Sequence, residues 1–305
     1  MDLRHLRYFV AVAEEGHITR AAERLNIQQP PLSRLIKTIE HELDVQLFRR
    51  KPRGVELTEA GHAFLGKARA ALANVDQAIV TARRTARGEQ GRISIGVVHT
   101  AQFHPFVPPV IRAFRESLPL VSLTLDEALS NTLVQHLRDE QTDVAFIRSL
   151  PAESEGLVFS RLLDEELVVA MPTGHPLAPV ARRRPAAVPL KSLAGEPFVF
   201  PGGVRLAIHT ATIAACHAAG FTPKVSWDVP IITSTLGYVA AGLGISIVPE
   251  SMRRMRMRGV SFYRFTGPLQ PTLPLVLASR RGDPSPLVRQ FINLVRRAAK
   301  EFLAA

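Results

Sequence analysis

Cysteine is almost absent: 305 residues hold a single one, Cys216. A lone cysteine forms no intramolecular disulfide and anchors no cysteine-rich zinc site, which agrees with a reducing compartment. Long apolar runs are missing as well. No stretch approaches the ~18 uninterrupted apolar residues of a membrane-spanning helix, so an integral membrane protein is excluded as an expectation. The opening segment, MDLRHLRYFVAVAEEGH, interrupts its short apolar patch with Glu14 and Glu15 and lacks a small-residue cleavage site. A cytoplasmic, unprocessed protein is expected. Catalytic signatures are equally scarce, with no Gly-x-Ser-x-Gly elbow, no Walker glycine loop and no His-Glu-x-x-His helix. Gly242-Leu-Gly244 lacks the third glycine of a dinucleotide fingerprint and follows a helix instead of a first strand. His209, Cys216 and His217 share one Ala-rich helix but have no acidic or cysteine partners at metal spacing, so they read as packing. Asp139-Glu140 and Glu165-Glu166 are adjacent pairs, face different directions, and read as solvated surface. Neither an enzyme nor a cofactor or metal is expected.

Charge of one sign is plentiful. Against 27 Asp+Glu stand 38 Lys+Arg, a formal net charge of +11. Such a balance favours a polyanionic partner, because surface Lys and Arg attract nucleic acid through a sequence-independent Coulomb interaction. The location of the charge matters more than its sum. Residues 1–90 hold 15 Lys+Arg and 11 Asp+Glu, whereas residues 91–305 hold 23 and 16. Most of the excess therefore lies in the second part, including the runs Arg182 to Arg184 and Arg253 to Arg258, which read as plain surface or as auxiliary DNA contacts. In the first part the charge is local: residues 49–53 alone carry four basic side chains.

At roughly 150 residues per domain the length predicts about two domains, and 46% hydrophobic content is enough to build their cores. Residues 1–58 read as three short helices and a hairpin. Leu3, Leu6, Tyr8, Phe9 and Val12 form one helical face that ends at Gly16. Thr19-Arg-Ala-Ala-Glu-Arg-Leu25 forms a second helix. A third starts at Pro30 and Pro31, which are tolerated only in a first turn, and buries Leu32, Leu35, Ile36, Ile39 and Leu43 while Ser33, Arg34, Lys37 and Thr38 face outward. Residues 45–57 alternate around a Pro/Gly turn as a hairpin. Thr58 then caps a long helix over 59–90, whose narrow stripe of Phe64, Ala68, Leu72, Val75, Ile79, Ala82 and Ala86 fits packing against a copy of itself.

From residue 92 strands and helices alternate, predicting a parallel sheet covered by helices. Expected strands cover 93–98, 121–125, 144–147, 166–171, 198–200, 225–229, 245–248 and 273–278. Helices are expected over 108–117, 132–140, 205–220, 235–241 and 286–302.

The N-terminal layout is that of a winged helix-turn-helix, with the residues opening the third helix nearest the base edges. Gln28 and Gln29 suit adenine, Arg34 suits guanine or phosphate, and Ser33 suits either; Pro30 and Pro31 offer apolar surface to a thymine methyl. Lys37 belongs to the same outward face. On the hairpin Arg49, Arg50, Lys51 and Arg53 suit phosphate or a narrow minor groove, with Arg50 and Arg53 taken as the contacts.

The ordered series Arg7-Tyr-Phe-Val-Ala-Val-Ala-Glu, Ala21-Ala-Glu-Arg-Leu25, Gln29-Pro-Pro-Leu-Ser-Arg34, Glu40-His-Glu-Leu-Asp-Val-Gln-Leu-Phe48 and Gly54-Val-Glu-Leu-Thr-Glu-Ala-Gly61 resembles the N-terminal module of LysR-type transcriptional regulators. Ala240-Ala-Gly-Leu-Gly-Ile-Ser-Ile-Val-Pro249 extends the likeness toward the C-terminus. Two departures bear on operator preference: Gln28 stands where Ser or Thr is common, and His17 where a small polar cap opens the second helix. The resemblance implies an α/β protein with a winged helix-turn-helix at 1–58, a dimerising linker helix at 59–90, and a two-lobed periplasmic-binding-protein-like effector domain at 91–305. Lobe I would comprise 92–163 and 267–305, lobe II 164–266. It further implies a homo-oligomer, a dimer of dimers, acting on a double-stranded operator with RNA polymerase as a further partner and no membrane.

In the effector domain, ligand is expected where helix N-termini and strand ends meet, since free N–H groups there bind carboxylates. Thr100 and Ala101 would end the first strand, Ser130 and Asn131 open a helix, and Arg148 closes the third strand. Pro201, Gly202, Gly203 and Val204 would precede a helix at Arg205, and Thr233 and Ser234 one at Thr235. An acidic effector follows, and the Pro-Pro motif with Glu-Leu-Thr-Glu-Ala-Gly-His is similar to regulators of aromatic-compound catabolism, which implies an aromatic acid or a muconate-like diacid. A solute-binding module with a fused helical segment is the alternative from another class.

Overall fold

The computed structural model describes residues 1–150, 155–178, 187–201, 206–229, 231–268 and 270–304. The chain forms two compact units, Met1–Ala86 and Arg87–Ala305.

In the first unit, α1 (Leu3–Glu15) starts with a reciprocal cap, Asp2 accepting from the His5 N–H and His5 Nδ1 from the Asp2 N–H, and stops at left-handed Gly16. α2 (Ile18–Arg24) is capped by His17, whose Nδ1 accepts from the Thr19 N–H at 3.2 Å. The imidazole thus does the work of the small polar residue it replaces. α3 (Gln29–Leu43) carries its prolines in the first turn, where the missing N–H groups would have no helical partner. The hairpin β1 (Phe48–Lys51) and β2 (Gly54–Leu57) pairs Arg49 with Glu56 directly across the strands. Gly54, at φ 139°, lies so near α1 that a Cβ would come within 2.2 Å of the Gly16 carbonyl oxygen. No other residue fits there. α4 (Glu59–Arg87) starts at Thr58, whose hydroxyl accepts from the Gly61 N–H at 2.9 Å. Phe48 and Phe64 both pack against Phe9 in the core with Val12, Leu32, Ile36 and Ile39.

Burial of the α4 stripe ends early. Ala68 is buried, Leu72 and Val75 are half-buried, and Ile79, Ala82 and Ala86 are exposed.

The second unit begins with β3 (Gly91–Val98), a 3-10 turn at Ala101–Phe103, α5 (Val107–Ser117), β4 (Val121–Ala128), α6 (Ser130–Arg138) and β5 (Val144–Ile147). Then come the 16-residue β6 (Leu157–Pro172), β7 (Ala187–Pro189), β8 (Pro197–Pro201), α7 (Ala207–Ala218), β9 (Lys224–Val229), α8 (Ile232–Ala240) and β10 (Ser246–Pro249). A 3-10 segment at Glu250–Met255, β11 (Val260–Thr266), β12 (Thr272–Arg280) and α9 (Pro286–Ala304) complete it. β3, β4 and β5 are parallel, as expected, but the sheet is mixed: β12 runs antiparallel to β5 and β6, and β10 and β11 run antiparallel to β6. β6 spans both cores. Its first half packs with residues 93–147 and 275–299, its second with residues 188–273.

Several expectations are corrected. The strand expected over 166–171 starts nine residues earlier, and β7 and β11 add strands where none were expected. Glu165 is buried and only Glu166 is exposed, because consecutive residues of a continuous strand face opposite sides. α7 starts at Ala207, not Arg205, and α8 at Ile232, not Thr235, so Thr233 stands inside the first turn. β3 ends at Val98, which moves Thr100 and Ala101 into the 3-10 turn. Cys216 is buried in the second core, and burial pushes its thiol up to about 12, which leaves an inert packing residue.

Candidate nucleic-acid interface and effector cleft

The helical period of α3 buries Leu32, Ile36 and Ile39 and thereby turns Gln29, Pro30, Arg34 and Lys37 to solvent; Ser33 lies half-buried at the boundary. Gln28 and Pro31 are exposed at the helix start, and the Gln28 amide makes no cap bond, so it is available to a partner. Among the described residues neither Arg34 nor Lys37 joins a salt bridge, whereas Arg24 and Arg69 share Glu14 at 2.8 and 2.7 Å. On the hairpin one face is internally neutralised. Glu56 accepts from Lys51 Nζ at 2.6 Å and Arg49 Nε at 2.8 Å, and these contacts, that of Lys51 first, hold its carboxyl below the usual range. Arg50 and Arg53 are exposed and outside that pairing. The basic residues thus divide into those consumed by the fold and those left over at the front of α3 and on the wing.

In the second unit one cleft gathers Thr100, Ser130 and Arg148 with Val98, His99, Leu129, Leu206, Ala207, Ile208, Ile232 and Leu273. α6, α7 and α8 all begin at it, and none has a side-chain cap at its N-cap residue, Leu129, Leu206 or Ile231. First-turn N–H groups without helical partners are therefore aimed at a mostly apolar space. The described walls enclose about 40 Å³. That volume holds a few waters at ~10–15 Å³ each, so an organic ligand requires the walls to part. Other hollows are larger, about 410 Å³ between α5 and β4, about 510 Å³ beside His104 and Glu165, and about 260 Å³ between α5 and α9, but none has converging helix starts. The cleft is preferred on chemistry, not size.

Arg148 needs a different account from the expected one. It is 3% exposed, its N–H donates to the Ser130 hydroxyl at 3.1 Å, and its guanidinium pairs with buried Glu165, which also accepts from the Ser251 N–H at 2.7 Å. Burial pushes the Arg148 value down and Glu165 opposes that shift. The charge is already compensated, so Arg148 cannot serve as a free anion clamp. Its Nε, however, is a donor buried without a partner among the described residues, on a residue that lines the cleft.

Other expected contacts separate from this group. Ala101 is fully buried in the first core, Asn131 is exposed and binds the Thr132 N–H, and Thr233 is not among the cleft-lining residues. Pro201 ends β8, and Gly202, Gly203 and Val204 lie outside the described residues, as do Arg182, Arg183 and Arg184. The apolar cleft residues were missed by sequence reasoning, although Leu129, Leu206 and Ile232 stand at helix starts and a correct helix boundary would have found them.

Two family models match the chain: the bacterial regulatory helix-turn-helix protein of the lysR family over residues 3–62 and the LysR substrate binding domain over residues 86–300. The chain is 36% identical over 295 residues to the HTH-type transcriptional regulator AlsR of Bacillus subtilis (strain 168), covering 96% of this chain and 95% of that protein. It is 35% identical over 298 residues to the regulator TfdS of Cupriavidus pinatubonensis, covering 97% and 98%. Full-length CbnR complexed with its target DNA superposes with a TM-score of 0.85 at 30% identity over 98% of this chain and 100% of that one. Full-length BenM superposes with a TM-score of 0.61 at 32% identity over 100% and 97%. With an N-terminal helix-turn-helix module, and with matches that span nearly its whole length, the chain belongs to the LysR family of DNA-binding transcriptional regulators.

Proposed function

We propose that the protein is a cytoplasmic regulator that binds a pseudo-palindromic operator as a homo-oligomer, a dimer of dimers built on α4, and responds to a small organic anion. Residues 1–58 form the DNA-reading module, 59–90 the linker and 91–305 the effector domain, with RNA polymerase as the further partner. The observation that carries the DNA reading is the exposed set Gln28, Gln29, Pro30, Pro31, Arg34 and Lys37, with half-buried Ser33 beside it, on a helix whose other face is core. Dimerisation is supported by the α4 stripe, with Ile79 43% and Val80 39% exposed on the far half of a 29-residue helix. The effector reading rests on three uncapped helix starts and the buried Arg148 Nε around apolar walls, which suit a carboxylate on a hydrocarbon skeleton such as an aromatic acid or a muconate-like diacid. An effector must bind one oligomer geometry more tightly than another, since equal affinity shifts nothing.

Replacing Arg34 by Ala removes about 1–3 kcal/mol of base discrimination and relaxes operator selectivity while the unfolding transition is unchanged. Footprinting at fixed salt measures this, and an unaltered footprint for both Arg34→Ala and Gln29→Ala would contradict the assignment.

A further inference from the structure

The cleft contains one side chain that its donor chemistry does not use. His99 lines it, in the short link between β3 and the 3-10 turn. Its Nδ1 lies 2.8 Å from Glu127 Oε1 on the edge strand β4, and the same oxygen accepts from Gln102 Nε2 at 2.8 Å. Gln102 Nε2 also reaches the His99 carbonyl oxygen at 3.1 Å, so the three residues form a closed set. A carboxylate has no hydrogen to give, so Nδ1 must carry the proton in this contact. In the neutral ring Nε2 is then an acceptor, and no partner for it occurs among the described residues. The remaining polar cleft groups are donors or can act as donors: the first-turn N–H groups of α6, α7 and α8, the Arg148 Nε, the hydroxyl of Thr100, and that of Ser130, whose oxygen is already accepting from the Arg148 N–H. A carboxylate satisfies donors but has nothing for an acceptor. A ligand hydroxyl has.

We propose that His99 sets effector choice by accepting a hydrogen bond from a hydroxyl, so that the cleft selects hydroxylated organic acids over their deoxy counterparts. Glu127 and Gln102 are positioning residues that hold the ring in the Nδ1-protonated form. The proposal deepens the organic-anion reading of the same cleft and rests on it.

The test is calorimetric titration of the full-length protein with acids paired by a single hydroxyl, lactate against propionate, malate against succinate, and salicylate against benzoate. For the pair that binds, the hydroxylated member is expected to bind about tenfold more tightly, the size of one well-placed neutral hydrogen bond. His99→Leu abolishes that preference and leaves affinity for the deoxy member in place. His99→Gln, whose side-chain carbonyl can accept, restores part of it. Nitrogen-15 spectra of the histidine rings show the Nδ1-protonated form in the parent and its loss in Glu127→Gln. Equal affinities within each pair, or a preference that survives His99→Leu, would overturn the proposal. A panel in which no acid bound at all would instead overturn the organic-anion reading, and the role of His99 with it. Thermal unfolding of each variant confirms that the substitution leaves the fold intact.

Discussion

Arg34 at the front of α3 and Arg148 at the effector cleft both stand beside a helix start, and they are used in opposite ways. Arg34 is exposed and outside every salt bridge of the described residues, so its charge is left to solvent. Arg148 is 97% removed from solvent by its 3% exposure and is neutralised by Glu165. The contrast teaches that a charged residue at an expected site has to be counted together with its partner. An exposed cation can stay unpaired because water solvates it, whereas a buried cation without a counter-ion costs several kcal/mol of stability.

The sharpest break of this comparison is at Glu165. Glu165→Gln leaves Arg148 buried and uncompensated and should cost the effector unit about 3–5 kcal/mol in urea denaturation. A loss comparable to that of a surface carboxylate would mean that the pair contributes no more than an exposed one. Next in size is a proton effect at His104, a buried neighbour of the same pair. Burial lowers its value from 6.5 to about 4, and its Nδ1 accepts from the Phe106 N–H at 3.1 Å. The folded state therefore prefers the neutral ring. Its contribution is fully present above pH 6.5 and is lost as pH falls toward 4, by at most about 3 kcal/mol. His104→Asn keeps an acceptor and removes the titration, so the parent and variant stability curves should converge at low pH. Parallel curves between pH 7.5 and 4.5 would refute this.

Smaller effects belong to the first unit and to the basic run of the second. Glu56→Gln frees Arg49 and Lys51, which should strengthen binding to random DNA and steepen its salt dependence by about one to two counterions. Equal slopes would show that the hairpin pairing is broken on DNA in the parent as well. Neutralising Arg254, Arg256 and Arg258 together, all exposed, should flatten that slope by less than one counterion per residue. An unaltered slope leaves them as ordinary surface.

Much of the first unit was legible because its signals are local. Gly16, Thr58 and the paired prolines mark helix ends by the partners their own backbone needs, and the apolar period of α3 decides which residues face out. His17 shows the same rule in another residue type, since an imidazole nitrogen caps as a hydroxyl does. The second unit was legible as alternating strands and helices but not in its polarity or its boundaries. β6 is longer than expected because its first half, Leu157 onward, pairs with β12, whose partner residues lie more than 100 positions away. No local period reports such a partner. Glu165 shared that fate: adjacent carboxylates look alike in sequence, and the orientation of the strand made one buried and one exposed.

What the sequence determined by itself is the class of molecule and which residues of α3 are exposed and which are core, because caps, prolines and helical spacing act within a few residues of one another. What only the tertiary structure decided is the electrostatics of the cleft. Whether Arg148 is free or paired, which helix starts converge, and which ring nitrogen of His99 is left open all depend on residues distant in the chain, and burial makes those encounters far stronger than any local preference.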